Sequence, residues 1–352
     1  MRFGGTHSSV LCGSVALSHH TRKASIRRGC VHDFTRRTRL LVVSVLAGVV
    51  LAGFLTSYGS EGKAAQGLVA AHGLVVRNGL IAFDNGTSNQ TWVMKPDGRA
   101  RHLLIQYGQM PSWSPDGKKL AYVGSYLDPK TDNYEPRLYV MNANRSGRHR
   151  LPITLGVADP AWSPDGTKIA FVGGDGSAGP PAGGSIYVVN ANGSGLQRLT
   201  TSDSDSAPTW SPDGKTIAYE QAPDMFTGRS SVFVMNADGS APREIAAGVQ
   251  VFSNLAWSPD GTKIAYLQAG VNGIFTMNPD GSGRHELNNT VSGATSPTWS
   301  PDGTRIAFEA GSKFSPRQGI YVMGADGRAV RQLNHLKGGW DYFITIAWQP
   351  RR

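Results

Sequence analysis

Apolar and polar positions along residues 78–352 follow a pattern that recurs six times. Its clearest element is Trp-Ser-Pro-Asp-Gly, which occurs five times, with copies that begin at Trp113, Trp162, Trp210, Trp257 and Trp299. A truncated sixth copy, Trp-Gln-Pro, begins at Trp348, and the tryptophan spacings are 49, 48, 47, 42 and 49 residues. Self-similarity at such a period is typical of repeat architectures, in which each repeat is one small structural unit.

Each period predicts four short strands. Every full copy continues into a segment such as Ile169-Ala170-Phe171, whose Ile and Phe lie on one side of a strand and whose Ala lies on the other. A second segment, 320–323 (IYVM), is apolar throughout, which is typical of a strand covered on both faces. The Ser-Pro-Asp-Gly and Asn-Ala-Asp-Gly sequences have the residues of tight turns. Repeated sheets buried on both faces predict an all-β, six-bladed β-propeller.

The two ends of the repeat region complement each other. The sixth Trp strand has no continuation after Arg352, whereas residues 78–103 carry an Ala-aromatic segment and a following strand without a Trp strand before them. We therefore expect the C-terminal Trp strand to join the N-terminal strands in one shared blade. Such an arrangement leaves only short, protected sheet edges.

The repeated Trp-Ser-Pro-Asp-Gly followed by Ile-Ala-Phe or Ile-Ala-Tyr resembles the TolB-type six-bladed β-propeller proteins of the WD40-like superfamily. The resemblance covers residues 78–350 and implies a propeller outside the cytoplasm. TolB carries an α/β domain before its propeller, but here only residues 59–77 separate an apolar run from the first strand, so we expect no such domain. Similar repeats also accompany hydrolase domains in prolyl-oligopeptidase-like peptidases and occur in some sugar lyases.

The N-terminal region predicts an export or anchoring segment. Residues 40–55 (LLVVSVLAGVVLAGFL) carry no charge and follow Arg36, Arg37 and Arg39, an order that favours export with the N-terminus in the cytoplasm. We expect a basic cytoplasmic leader over 1–39, a transmembrane anchor or signal sequence over 40–58, a linker over 59–77 and the propeller over 78–352. An anchor would leave the propeller periplasmic or at the cell surface, and cleavage would make the protein secreted.

Charge and cysteine content exclude two classes of function. Of the formal net charge of +10, residues 1–39 hold +7 (eight Lys/Arg and Asp33), which leaves +3 for the rest. A nucleic-acid-binding domain needs its basic surface on the folded part, so we expect no nucleic-acid partner. Both cysteines, Cys12 and Cys30, lie in the leader, which excludes a disulfide framework and a cysteine-ligated metal in the propeller.

The sequence contains no convincing catalytic constellation. No Gly-x-Ser-x-Gly nucleophile motif occurs. His102, His149 and His285 occupy equivalent positions of three repeats, where we expect exposed outer strands and no shared metal. We expect structural roles, with hydrogen bonds inside each turn, for the repeated aspartates: Asp116, Asp165, Asp213, Asp260 and Asp302. We predict no cofactor, no metal and no catalytic residue.

Binding residues are expected in the loops that vary between repeats. A meander alternates its loops between two ends, so the two repeated turns share one face and the variable loops share the other. These loops include 124–136, 173–185, 220–230, 311–318 and 334–343. Aromatic and arginine side chains dominate binding hot spots, and the candidates are Tyr126, Tyr134, Phe226, Arg229, Phe314, Arg317, Trp340 and Tyr342.

These observations favour a non-enzymatic, monomeric propeller outside the cytoplasm that binds a protein or peptide partner of the envelope and meets the membrane through its N-terminal helix. The alternative is a propeller enzyme, a carbohydrate lyase or hydrolase acting in the central channel. Clustered His, Arg and carboxylate side chains in the channel would favour the enzyme. A third hypothesis is a sensor that signals through the anchor, although the leader contains no recognisable output module.

Overall fold

The computed structural model describes residues 77–351 apart from 85–88, 130–131, 175–182, 225–227, 251–253, 288–290, 312–317 and 335–344. The predicted leader, the apolar run and most of the linker lie outside these residues. Within the described ranges there is no helix long and apolar enough to cross a membrane. The described part is all-β, as the repeat predicts.

The described strands form six four-stranded antiparallel sheets, the blades of a propeller. Blade 1 combines β24 (Ile346–Arg351) with β1 (Arg77–Asp84), β2 (Thr91–Met94) and β3 (His102–Ile105). Blade 2 contains β4 (Gly108–Trp113), β5 (Lys119–Asp128), β6 (Asn133–Asn142) and β7 (His149–Arg150). Blade 3 contains β8 (Gly156–Trp162), β9 (Lys168–Gly174), β10 (Ser185–Asn190) and β11 (Gln197–Arg198).

The other three blades follow the same order. Blade 4 contains β12 (Asp205–Trp210), β13 (Thr216–Asp224), β14 (Arg229–Asn236) and β15 (Arg243–Gln250). Blade 5 contains β16 (Ala256–Trp257), β17 (Ile264–Leu267), β18 (Ile274–Met277) and β19 (His285–Glu286). Blade 6 contains β20 (Thr295–Trp299), β21 (Arg305–Ala310), β22 (Gly319–Gly324) and β23 (Arg331–Gln332).

The core lies between the blades. In blade 3, Ile169, Ala170 and Phe171 are fully buried, so both faces of this strand are covered. The described residues contain six buried apolar clusters, and each cluster joins side chains of two neighbouring blades. Aromatic rings from the second and third strands stack within blades, as Phe171 does on Tyr187 with centroids 5.7 Å apart. A single blade would therefore expose both of its apolar faces.

The Ser-Pro-Asp-Gly turns are built alike in each of the five copies. In blade 3 the N–H of Gly166 donates to the carbonyl of Ser163 at 2.9 Å, and Gly166 has φ of 72°, which favours glycine. The Ser163 hydroxyl donates to Asp165 at 2.5 Å, and the same Asp165 oxygen accepts the N–H of Thr167 at 3.0 Å. The turn sequence thus satisfies its own polar groups.

Two segments predicted as loops are instead longer strands. Within 124–136, β5 and β6 remain paired from Gly124↔Arg137 to Asp128↔Asn133. Within 220–230, β13 runs to Asp224, which pairs with Arg229. The loop prediction is wrong at these ends, because the partner strand supplies backbone hydrogen bonds that the turn-like composition of 124–136 does not reveal.

The first and last described strands pair with each other. β24 pairs antiparallel with β1, with partners Ile81↔Trp348, Ala82↔Ala347 and Phe83↔Ile346. Gln349 stands where the other copies have Ser. Its amide donates to the carbonyl of Gly117 in blade 2 at 2.8 Å and accepts the N–H of Leu80 at 3.1 Å. The Asn78 amide donates to Asp302 of blade 6 at 2.8 Å.

We predict that deleting residues 344–352 abolishes cooperative folding. The deletion removes the inner strand of blade 1, exposes the edge of β1 and uncovers the apolar cluster shared with blade 6. Thermal unfolding and size-exclusion chromatography should show aggregation or loss of a cooperative transition. A truncated protein that stays monomeric and melts at the full-length temperature would contradict this role of β24.

Candidate functional site

An axial channel is one of the cavities of the described propeller. Its volume is about 310 Å³, and its walls are the inner strands of all six blades. Each inner strand contributes a short segment that ends at or just before its repeat Trp. Five of the six tryptophans line the channel: Trp113, Trp210, Trp257, Trp299 and Trp348.

The residue three positions before Trp forms a ring at one end of this channel. Five of these residues have positive φ between 47° and 55°: Met110, Asp159, Ala207, Asn254 and Ser296. Proline follows in four of the five, and because it has no N–H it cannot continue the strand ladder. The register shifts at the same place, as between Ser206 and Thr209, which is the geometry of a β-bulge. The bulge frees backbone N–H groups from the sheet.

Asp84 collects two freed N–H groups and is only 2% exposed. Its carboxylate accepts the N–H of Met110 in blade 2 at 2.6 Å and the N–H of Thr345, just before β24, at 3.2 Å. Burial raises the pKa of Asp84 to about 7, although these two hydrogen bonds act in the opposite direction. The negative charges of Glu309 and Asp159 also raise it.

Asp159 repeats this role between blades 3 and 4. Its carboxylate accepts the N–H of Ala207 at 3.2 Å, and burial raises its pKa. Glu309 accepts a hydrogen bond from the Thr295 hydroxyl at 3.1 Å. Within the described ranges, no group of three His, Cys, Asp or Glu residues has a geometry that could hold a metal ion. Asp84 and Asp159 thus accept backbone N–H groups of the next blade and tie neighbouring blades together.

The repeat aspartates lie on the opposite face, in the Ser-Pro-Asp-Gly turns. Hydrogen bonds from the Ser163 hydroxyl and the Thr167 N–H lower the pKa of Asp165. The Ser211 hydroxyl and the Lys215 N–H do the same for Asp213. These carboxylates are occupied by their own turns.

The three repeat-equivalent histidines lie on outer strands. His102 is in β3, His149 in β7 and His285 in β19, and all three are exposed. They belong to three different blades, so the structure does not bring them together at one site.

Three of the predicted binding residues lie within the described part. Tyr126 and Tyr134 are on the β5–β6 hairpin of blade 2, and Arg229 begins β14 of blade 4. Tyr134 is 74% exposed, and its cross-strand partner Leu127 is 43% exposed. The Arg150 guanidinium lies 3.9 Å from the ring centroid of Tyr126. Five candidates lie outside the described residues: Phe226, Phe314, Arg317, Trp340 and Tyr342.

Sequence reasoning missed the buried carboxylates of the second strands, although a signal was present. An acidic residue directly follows the Ala-aromatic segment in three of six blades, as Asp84, Glu220 and Glu309. All three are buried. A second signal is the proline two residues before Trp in four blades, which marks the bulge.

Comparison with known proteins agrees with this architecture. A family model described as the TolB beta propeller domain matches residues 84–350. No curated protein sequence matches the chain. The crystal structure of TolB from Acinetobacter baumannii is similar with a TM-score of 0.60 and 21% identity, over 77% of this chain and 66% of that one. This chain thus spans about two thirds of that TolB.

Two further structures share the fold. A putative TolB from Agrobacterium tumefaciens has a TM-score of 0.57 and 20% identity, over 79% of this chain and 99% of that one. A puromycin-hydrolyzing peptidase from Mycobacterium tuberculosis has a TM-score of 0.53 and 14% identity, over 76% of this chain but only 46% of that one. At these identities the likeness concerns the fold.

We predict that Asp84→Asn removes a pH dependence of stability. With a pKa of about 7 when folded and 3.8 as the ordinary value, Asp84 favours the folded state most below pH 4, and this contribution is lost as pH rises through 7. The two values set an upper limit of roughly 4 kcal/mol. Urea unfolding between pH 5 and 8 measures the free energy of unfolding, which should decline less with rising pH in the variant than in the parent protein.

The matched control for this experiment is Asp165→Asn. Hydrogen bonds lower the pKa of Asp165, so its contribution to the free energy of unfolding changes only below about pH 4. The substitution should therefore leave the pH dependence of stability between pH 5 and 8 unchanged. Equal slopes for Asp84→Asn and the parent protein would show that Asp84 does not titrate as proposed.

Proposed function

Because the chain belongs to the TolB beta propeller domain family, we propose that it is a non-enzymatic propeller that binds a protein or peptide partner at the cell envelope. The binding surface is the face of the variable loops. A rigid scaffold that presents varied loops is a common basis for binding sites. The repeated turns of the other face have their polar groups occupied locally, as in Ser163 and Asp165.

One observation carries this proposal, namely the hairpin of blade 2. β4 pairs with β5 only as far as Gly124, whereas β5 and β6 stay paired to Asp128↔Asn133. The hairpin thus extends beyond the inner strand by four residues of β5, or about 13 Å. Near its end, Leu127 and Tyr134 form an exposed cross-strand pair. An exposed apolar and aromatic pair on an ordered hairpin has the character of a binding hot spot.

The location outside the cytoplasm is part of the same proposal. It rests on the uncharged run 40–55 and on the arginines before it. In this scheme the N-terminal segment anchors a monomeric propeller to the membrane, or acts as a cleaved signal that leaves the propeller secreted.

The alternative is an enzyme that acts on carbohydrate in the axial channel. The observation in its favour is the raised pKa of Asp84, since perturbed carboxylates are common in active sites. However, the Asp84 carboxylate accepts two backbone N–H groups and is almost fully buried, so it has little freedom to exchange protons with a substrate. The binding function accounts better for the exposed groups.

We predict that Leu127→Ala combined with Tyr134→Ala weakens partner capture and leaves the fold intact. A hot-spot aromatic contributes about 2 kcal/mol or more to binding, or roughly thirtyfold in affinity. Capture from envelope extract, followed by titration with the captured partner, measures the effect. Trp340→Ala with Tyr342→Ala tests the candidates outside the described residues in the same way.

Two controls separate binding from stability. Leu196→Ala removes an equally exposed leucine near the repeated turns and should leave capture unchanged, because Leu196 is 45% exposed on the opposite face. Asp165→Ala and Asp260→Ala should lower the melting temperature without a direct effect on affinity. The proposal would be contradicted if partner capture survived the hairpin substitutions but fell with the turn substitutions in equally folded proteins. That result would place binding on the face of the repeated turns.

We also predict that a reporter active only outside the cytoplasm is active when fused after Arg352. The basic leader before the apolar run sets this orientation. Activity of a cytoplasm-only reporter at the same position would refute the proposed location. Mass spectrometry of the mature N-terminus would distinguish an anchor from a cleaved signal.

A further inference from the structure

The outer edge of blade 2 carries three exposed arginines within six residues. Arg145 lies in the turn between β6 and β7, Arg148 directly precedes β7, and Arg150 ends it. This edge, called the arginine edge below, contacts the β5–β6 hairpin through Tyr126 but does not include Leu127 or Tyr134.

Arg145 occupies a position that favours glycine. Its φ is 71°, and its N–H donates to the carbonyl of Asn142 at 2.9 Å, as the equivalent glycines do in their turns. The equivalent residue of every other blade is a glycine with φ between 79° and 89°: Gly98, Gly193, Gly239, Gly281 and Gly327. An arginine in this left-handed region is sterically disfavoured, and such departures cluster at functional sites. The Arg145 guanidinium donates to the carbonyl of Leu103 in blade 1 at 2.5 Å.

Arg148 and Arg150 are held by aromatic rings. The Arg148 guanidinium lies 5.1 Å from the ring centroid of Tyr139 and 5.7 Å from that of Tyr122. Arg150 is stacked on Tyr126. Arg148 directly precedes β7, which ends at Arg150, so we expect their side chains to leave the same side of the chain about 7 Å apart. The stacking orients the guanidinium groups before any ligand arrives.

The fold itself does not require these charges. In blades 3, 4 and 6 the position of Arg148 is taken by Leu196, Pro242 and Val330, whereas blades 1 and 5 have Arg101 and Arg284 there. Among the described residues, the ion pairs are Arg99–Asp97, Arg137–Glu135 and Arg198–Asp203, so the arginine edge has no carboxylate partner there. Unpaired, pre-oriented guanidinium groups are suited to carboxylates, which they bind through paired hydrogen bonds.

We propose that the arginine edge binds an extended acidic peptide segment of a partner protein, with carboxylates at alternate positions. Alternate side chains of an extended peptide share one side and repeat every 6–7 Å or so, which matches the expected spacing of Arg148 and Arg150. β7 is a short strand at the edge of its sheet, so a peptide can lie beside it.

A peptide fits this edge better than an anionic membrane does. A flat bilayer needs a broad basic face, whereas the outer edges of the other blades mix basic residues, such as Arg198 of blade 3, with acidic ones. On blade 4 the position of Arg150 is taken by Glu244, and on blade 5 it is taken by Glu286. A protein partner for the arginine edge rests on the proposed binding function, although the residues involved differ from Leu127 and Tyr134.

The test measures binding of labelled synthetic peptides to the full-length protein by fluorescence anisotropy. The probe alternates Glu with Thr, and a peptide of equal composition with all Glu in one block is the comparison. We expect the alternating peptide to bind more tightly than the block peptide. We also expect its binding to weaken at high salt. Arg148→Glu with Arg150→Glu should weaken its binding by about tenfold or more, as loss of charge-assisted pairs would. Arg148→Lys with Arg150→Lys should weaken it less.

Arg331→Glu is the matched control, because Arg331 is an exposed arginine on the outer strand of blade 6. It should leave peptide binding unchanged. Absence of binding by the alternating peptide, equal binding of the block peptide, or an equal loss in the control variant would each overturn the proposal. So would binding to phosphatidylglycerol vesicles that depends on Arg148 and Arg150 while the peptide does not bind. If the Leu127→Ala, Tyr134→Ala variant loses partner capture but still binds the alternating peptide, the result supports a peptide site at the arginine edge that is independent of the hairpin pair.

Discussion

The structure depends on the burial of both faces of every blade. The second strand of a blade places an aromatic ring toward one neighbour and a small alanine toward the other, so that adjacent sheets approach closely. The six apolar clusters of the described residues lie between blades, and none belongs to a blade alone. A single blade cannot bury its two apolar faces alone, and stacked neighbouring repeats are needed to cover them. The ring is therefore the smallest unit that satisfies the burial requirement, and its stability is a property of all the blades together.

Much of this architecture could be predicted from residues alone. The Trp strand, the Ile-Ala-aromatic strand and the Ser-Pro-Asp-Gly turn have local causes: side-chain alternation, proline and glycine geometry, and aspartate hydrogen bonding inside the turn. The extended hairpin of 124–136 was not predicted, because its pairing is not encoded by the turn-like composition Asp-Pro-Lys-Thr-Asp-Asn. Asp84 was not recognised either. Its carboxylate accepts the N–H groups of Met110 and Thr345, which are distant in sequence and come together only in the folded ring.

The two faces of the propeller differ in how their polar groups are used. On the turn face, carboxylates such as Asp165 accept hydrogen bonds from nearby hydroxyl and backbone donors, which stabilise their charged form. Beside the channel, the buried carboxylates of Asp84 and Asp159 link neighbouring blades. At the outer edges, blade 2 departs from the repeat through Arg145, which stands where each of the other five blades has a glycine.

The pairing of β1 with β24 has a consequence for how the chain reaches its fold. The first strand of blade 1 is synthesised more than two hundred and fifty residues before the strand that completes it. At about 5–20 residues per second, the ribosome leaves β1 without its inner partner for tens of seconds. During that interval its edge is open to any extended segment that comes near. A propeller of this kind therefore cannot complete its first blade until nearly the whole repeat region has been synthesised.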